Sequence, residues 1–135
     1  MAAESLVESK IELSKRLVSD LVKRKAPLLA AFWEFREDAD RWTLLLVPTS
    51  PNEERRLIGL ATDLLVENPY RSVFSLSDPE VDSHQISRAR ALGAYIRVKP
   101  YEGRRIDTTF TDGQYFESVI PLFFAPELMK HVRVA

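Results

Sequence analysis

The sequence predicts a single α+β domain over residues 1–135, with a mixed, mainly antiparallel sheet of about six strands flanked by three helices. The chain has 135 residues, of which 45% are hydrophobic, which is enough for one core and too little for two ordinary domains. Its patterns follow the order helix, two strands, helix, strand, helix and three strands. Hairpins are too frequent in that order for a doubly wound parallel sheet, so a mixed sheet with helices on its faces fits best.

The first element is an amphipathic helix predicted from Glu4 to Lys25. Apolar residues occupy about half of its helical wheel, and charged residues occupy most of the other half. Acidic residues on the polar face favour a helix packed into the domain over one that lies on a membrane surface. Pro27 then ends the helical pattern.

Two central strands are predicted next, from Leu28 to Arg36 and from Trp42 to Val47, because each is apolar on both faces. A polar run separates them, which is typical of a hairpin. The second helix should begin at Pro51, with Ser50 as the capping residue and Glu53 returning a hydrogen bond to the backbone of the cap.

The middle of the chain is predicted to form a short strand and a third helix. The strand runs from Arg71 to Leu76. Asp78 precedes Pro79, which places a capping carboxylate just before a proline at the first helical position. This helix should run to about Leu92, because Gly93 is suited to end it in the left-handed conformation.

Three strands complete the predicted sheet, and they run from Tyr95 to Val98, from Ile106 to Thr111 and from Gln114 to about Phe124. Asp112 and Gly113 join the last two strands in a primed two-residue turn.

This turn sets the register of the final hairpin. Counting from it places Asp107 opposite Ser118 and Thr108 opposite Glu117. Asp107 and Glu117 therefore point to opposite faces of the sheet, which argues against a two-carboxylate hydrolase site in this hairpin.

The composition excludes several functional classes. The chain contains no cysteine, which excludes disulfides, thiolate zinc sites, cysteine nucleophiles and iron–sulfur clusters. Lysine and arginine number 19 against 20 acidic residues, so no overall field attracts nucleic acid or an anionic membrane. No apolar run approaches the roughly 20 residues that span a bilayer, and acidic residues interrupt the amino end. We expect no membrane contact and a cytoplasmic location.

Isolated polar residues leave alternatives open. Glu80, His84 and Arg88 recur at four-residue steps, so they would share a helix face, either to hold a proton or as a solvated charge ladder. Glu34 stands between aromatic residues and is either a general acid with a raised pKa or an ordinary carboxylate at the sheet rim. His84 and His131 lack the spacing of paired metal ligands, and the chain has neither a GxSxG elbow nor a glycine-rich phosphate loop. We therefore predict no catalytic residue, no cofactor and no metal.

A local basic cluster with interleaved tyrosine is the first candidate binding feature. Guanidinium groups near aromatic rings are what a surface that tracks phosphates and stacks bases would need, although such residues are also typical of a solvated surface. The candidate anion-binding residues are Arg88, Arg90, Arg97, Lys99, Tyr101, Arg104 and Arg105.

The end of the last predicted strand is the second candidate binding feature, because it is apolar on both faces. Such a segment must be covered, either by the first helix or by the same segment of a second copy. The candidate interface residues are Val119, Ile120, Leu122, Phe123 and Phe124. We therefore expect a small intracellular interaction or accessory module rather than an enzyme, and a homodimer if the segment is shared. The alternative is an anion or nucleic-acid binder that uses the basic cluster.

Overall fold

The computed structural model describes residues 8–36, 40–74, 79–98, 105–111 and 113–129, with the backbone alone at Arg97, Val98, Thr108 and Met129. In these ranges the helices are α1 (Glu8–Lys23), α2 (Glu54–Leu65), α3 (Tyr70–Val73), α4 (Ile86–Val98) and α5 (Pro126–Met129). The strands are β1 (Leu28–Arg36), β2 (Arg41–Pro48), β3 (Pro79–Val81), β4 (Ile106–Thr111) and β5 (Gln114–Phe124). The predicted α+β class is confirmed.

The described strands form one sheet in the order β3-β2-β1-β5-β4. β1 lies at the centre and is antiparallel to both β2 and β5. β4 pairs antiparallel with β5 at one edge, and β3 pairs parallel with β2 at the other edge. The sheet is therefore mixed and mainly antiparallel, as the sequence predicts.

Each face of the sheet carries its own hydrophobic core. Leu44 and Leu46 of β2 pack in the core that also contains residues of α1, α2 and α3. Leu45 and Val47 pack in the core that contains residues of α4 and α5. Because successive side chains of a strand point to opposite faces, a strand buried on both sides reads as one continuous apolar run.

A buried polar contact also holds α1 against the sheet. Leu17 and Leu21 of this helix are fully buried. Trp33 Nε1 donates a hydrogen bond of 2.9 Å to Ser14 Oγ, which itself donates to the backbone carbonyl of Ile11 at 2.7 Å. Ser14 interrupts the apolar stripe of the sequence because it provides the acceptor that the buried indole N–H requires.

Both predicted hairpins are confirmed. β1 has the predicted bounds, and β2 extends the second predicted strand by one residue at each end. In the final hairpin, Asp107 and Ser118 are register partners, as counted from the turn. Gly113 in that turn has a positive φ of 77°, which glycine adopts without strain.

The second helix begins as predicted but without the predicted cap. Residues Pro51–Glu53 form a 3₁₀ turn that leads into α2. Ser50 has an extended backbone and makes no side-chain capping hydrogen bond, so the predicted capping role of its hydroxyl is wrong.

The strand predicted from Arg71 to Leu76 is wrong over its described residues, because the chain forms the short helix α3 there. Tyr70 at the start of α3 is buried, and its hydroxyl donates a hydrogen bond to Asp20 of α1. Phe74 packs on Trp33 with ring centroids 6.4 Å apart. These tertiary contacts override the local strand-like composition.

The third predicted helix starts later than expected. Asp78 lies outside the described residues, and Pro79 begins β3, so the predicted helix start at this proline is wrong. The carboxylate of Asp82 instead accepts a hydrogen bond of 2.9 Å from the backbone N–H of His84. A 3₁₀ turn at Ser83–Gln85 then leads into α4.

This helix also continues past its predicted end. α4 runs through Gly93, so the predicted terminator and the predicted strand from Tyr95 to Val98 are both wrong. A Cβ atom at Gly93 would lie 3.4 Å from Phe124 Cδ1, so the glycine lets α4 pack closely against the end of β5. Because Glu80 lies on β3, it does not share a helix face with Arg88, and the predicted charge ladder is wrong as well.

Candidate interaction site at the sheet edge

The apolar end of β5 packs against the cores of its own chain. Val119 is fully buried in the core below α4. Ile120 and Leu122 are partly buried against the core below α1, Phe123 contacts both cores, and Phe124 packs against the core below α4. The predicted cover by the first helix therefore accounts for only part of this segment, because the core below α4 covers the rest.

Arg88 is the first residue of the predicted basic cluster, and both terminal nitrogens of its guanidinium group are engaged within the chain. Its two terminal nitrogens donate to the two carboxylate oxygens of Glu34 at 2.9 and 2.6 Å. They also donate to Gln85 Oε1 at 2.7 Å and to the carbonyl of Tyr115 at 2.8 Å. The group lies 4.2 Å from the ring centroid of Phe116. Such a guanidinium is an internal counterion rather than part of an anion-binding surface.

The structure brings few of the other cluster residues together. Arg90 is exposed on α4, and Arg97 also lies on α4. Arg105 precedes β4 and donates from Nε to Asp107 at 2.6 Å. Lys99, Tyr101 and Arg104 lie outside the described residues.

Glu34 is buried rather than placed at the rim of the sheet. It is 4% exposed, so the predicted alternative of an ordinary rim carboxylate is wrong. Besides Arg88, Arg36 approaches it, with Nε 3.6 Å from Oε1. Both carboxylate oxygens are therefore held by cations of the same chain, and the group serves to fix α4 on β1.

A polar contact near the β4 edge links Asp107, Ser118 and Arg105. Ser118 Oγ donates to Asp107 Oδ1 at 2.7 Å. The hydrogen bond from Arg105, followed by that from Ser118, holds the pKa of Asp107 below its usual range. A carboxylate with a lowered pKa is a weak proton acceptor.

The outer edge of β4 is the most distinctive surface in the described part of the chain. Among the strands that the structure describes, β4 is the last in the sheet order and has six residues, with Asp107 as its one charged side chain. Natural edge strands are usually short or carry lysine, proline or a bulge, which prevents pairing with another chain. β3, at the opposite edge, is three residues long and begins with Pro79. The described residues of β4 include neither lysine nor proline, and their pairing with β5 shows no bulge.

The register of the hairpin shows which backbone groups this edge presents. Thr111 and Gln114 are register partners on either side of a two-residue connection, and such a closing pair is hydrogen-bonded. Backbone groups alternate in direction along a strand, so those of Ile106, Thr108 and Phe110 point away from β5.

Two aromatic side chains stand beside this edge. Phe110 is 72% exposed, and its register partner Tyr115 on β5 is 50% exposed. Register partners share a face of the sheet, so the two rings form one exposed aromatic pair. We call the outward backbone of β4 together with this pair the β4 edge.

The sequence contained a signal for this surface that its interpretation missed. The segment IDTTFT is rich in β-branched residues and lacks both lysine and proline, which is unusual for an edge strand. The order of the strands cannot be read from local patterns, and without that order no strand can be identified as the edge.

A shallow groove between α2 and β3 is a second apolar feature. It has a volume of about 220 Å³ and is lined by Ile58, Ala61, Thr62, Leu65, Pro79 and Val81. Ile58 is 42% exposed. Among the described residues, this lining offers no charged side chain that would orient a ligand.

Within the ranges that the structure describes, no group of three or more histidine, aspartate or glutamate residues is placed to hold a metal ion. None of the helices described there is both long and apolar enough to cross a membrane. No protein-family model, curated protein or solved structure matches the chain.

Proposed function

We propose that the protein is a non-enzymatic interaction module that binds a protein partner by strand addition at the β4 edge. The observation that carries the proposal is a six-residue edge strand without lysine or proline, next to the exposed aromatic pair of Phe110 and Tyr115. In strand addition the backbone provides the hydrogen bonds and alternate side chains provide the specificity.

The energetics of this surface favour a partner that covers it. Covering the ring of Phe110, which is 72% exposed, removes apolar surface from water, and full burial of such a side chain contributes about 2 kcal/mol. A partner strand would also pair the outward N–H and C=O groups of Ile106, Thr108 and Phe110.

The state of the polar groups supports a binding role over catalysis. Glu34 is held by Arg88, and Asp107 is held by Arg105 and Ser118. These groups stabilise the fold, and each is already hydrogen-bonded within the chain. The same pairing weakens the case for an anion or nucleic-acid binder, because two of its predicted cations already have carboxylate partners.

A labelled strand peptide tests this proposal. The probe is a short fluorescein-labelled peptide in which threonine and valine alternate, followed by fluorescence anisotropy at low protein concentration. We expect saturable binding that Phe110→Lys weakens at least about tenfold, because a lysine on an edge strand opposes strand addition.

Ile58→Lys is the matched control, because it adds the same charge at another exposed apolar position, on α2. This variant should bind the peptide as the wild type does. Peptide binding that is absent, or that Ile58→Lys and Phe110→Lys weaken equally, would contradict the proposal. Salt-sensitive binding of a labelled single-stranded oligonucleotide, lost on replacement of Arg104 and Arg105, would instead favour the nucleic-acid alternative.

A further inference from the structure

We propose that the partner at the β4 edge is a second copy of this chain, paired antiparallel through β4 about a two-fold axis with Thr108 at its centre. This inference rests on the proposed function, because it identifies the strand that is added. The paired edges would join the sheets of the two copies into one continuous sheet.

Symmetry restricts how two copies of this strand can pair. Identical antiparallel strands in one sheet are related by a two-fold axis perpendicular to the sheet, so one position must lie opposite itself. The outward backbone groups belong to Ile106, Thr108 and Phe110. With the axis at Thr108, each of these three residues forms a hydrogen-bonded pair with an outward-facing residue of the partner subunit. Each pair shares two hydrogen bonds, which gives about six in total.

The side chains of β4 favour the same register. It places Phe110 directly opposite Ile106 of the partner subunit, and this apolar pair occurs twice because of the symmetry. Ile106 and Phe110 share a face of the strand, so the two exposed aromatic pairs would lie on one side of the joined sheet. Cross-strand pairs of an aromatic and a β-branched residue are among those that stabilise sheets.

The charge on the edge argues against an axis one residue earlier, at Asp107. An axis at Asp107 would place its carboxylate directly opposite Asp107 of the partner subunit, and like charges in that position are destabilising. An axis at Phe110 would shorten the overlap to the residues next to the turn. With the axis at Thr108, Asp107 lies opposite the neutral Thr109 of the partner subunit.

The expected interface is small, so the dimer should form in a concentration-dependent way. Stable interfaces usually bury more than about 1,000 Å², and one edge strand with two aromatic pairs lies at the low end of this scale. Sedimentation velocity from roughly 1 µM to 1 mM should therefore show a shift from monomer to dimer. Phe110→Lys should weaken dimerisation at least about tenfold, and Ile58→Lys should leave it unchanged.

Single cysteines test the register directly, because the natural chain contains none. In a hydrogen-bonded pair the Cα atoms are about 5.5 Å apart, which suits a disulfide, so Thr108→Cys should give a covalent dimer on oxidation. In two copies of Phe110→Cys the Cα atoms of the new cysteines would lie about 14 Å apart, so they should not be linked. Phe110 is 72% exposed, and circular dichroism would confirm that both variants fold.

The outcomes separate this inference from the proposed function. A protein that stays monomeric at about 1 mM and still binds the strand peptide through the β4 edge would overturn the second copy as partner and leave the proposed function intact. The β4 pairing would be overturned by a dimer that Phe110→Lys does not weaken. It would also be overturned if a disulfide forms efficiently in Phe110→Cys but not in Thr108→Cys. Failure of both dimerisation and peptide binding would overturn both proposals.

Discussion

Arg88 on α4 holds both carboxylate oxygens of Glu34 on β1, with its terminal nitrogens 2.9 and 2.6 Å away. The Glu34 side chain is 6% exposed and that of Arg88 is 18% exposed. The pair joins the helix on one face of the sheet to the central strand. It also engages one arginine of the predicted basic cluster within the chain.

Replacing Arg88 by methionine should therefore destabilise the fold. The change leaves the buried carboxylate of Glu34 with only the more distant guanidinium of Arg36, whose Nε lies 3.6 Å away, and breaking such a buried pair costs about 3 kcal/mol in the free energy of unfolding. Urea denaturation would measure this loss. Arg90→Met is the control, because Arg90 is exposed on the same helix and should change stability by less than about 0.5 kcal/mol. Equal effects of the two substitutions would contradict the assigned role of the pair.

Ser14→Ala should also destabilise the protein. The indole N–H of Trp33 would lose its acceptor in the core, and an unsatisfied buried donor costs about 1–3 kcal/mol. Ser9→Ala on the exposed side of α1 is the matched control and should be close to neutral. Chemical denaturation distinguishes the two variants. A neutral Ser14→Ala would mean that the indole N–H finds another partner.

Tyr70 gives the fold a pH dependence in the alkaline range. Burial, followed by the hydrogen bond to Asp20, raises the pKa of Tyr70 well above its ordinary value. Because the folded-state pKa exceeds the unfolded value of about 10, this stabilisation is complete below about pH 10 and is lost as the pH rises through the folded pKa. The melting temperature of the wild type should fall more steeply above about pH 10 than that of Tyr70→Phe. If the melting temperatures of the wild type and Tyr70→Phe fall equally steeply above that pH, the assigned role of Tyr70 is contradicted.

The pKa of Asp107 reports the polar contact beside the β4 edge. Arg105 and then Ser118 lower this pKa by hydrogen bonding to the carboxylate. Ser118→Ala should therefore raise the pKa of Asp107 toward its ordinary value, as followed by NMR titration of the carboxyl carbon. Ser72→Ala, which removes an exposed hydroxyl on α3, should leave this titration unchanged. An unaltered pKa in Ser118→Ala would show that Arg105 alone sets it.

The parts of the fold that the sequence predicts well are those determined by local patterns. β1 and β2 are apolar on both faces because both faces of these strands are buried. The resulting continuous runs of apolar residues can be recognised in the sequence without any knowledge of tertiary structure. The final hairpin follows from its two-residue turn, which fixes the pairing of Asp107 with Ser118.

The parts that the sequence predicts poorly depend on contacts between distant residues. Gly93 has the appearance of a helix terminator, yet its role is to admit Phe124 at close range while the helix continues. Glu34 resembles a rim carboxylate until Arg88, 54 positions away, is placed beside it. The candidate site was missed for the same reason, because only the strand order reveals that β4 is an edge.

Amide hydrogen exchange by NMR at several protein concentrations tests the β4 edge most directly. The inward amides of Asp107, Thr109 and Thr111 are bonded to β5 and should exchange slowly at every concentration. The outward amides of Ile106, Thr108 and Phe110 should exchange fast in dilute protein and become progressively protected as the concentration rises, in the wild type and in Ile58→Lys but not in Phe110→Lys. Binding at the β4 edge would be contradicted if the outward amides exchange at the same fast rate at every protein concentration and also in the presence of the strand peptide.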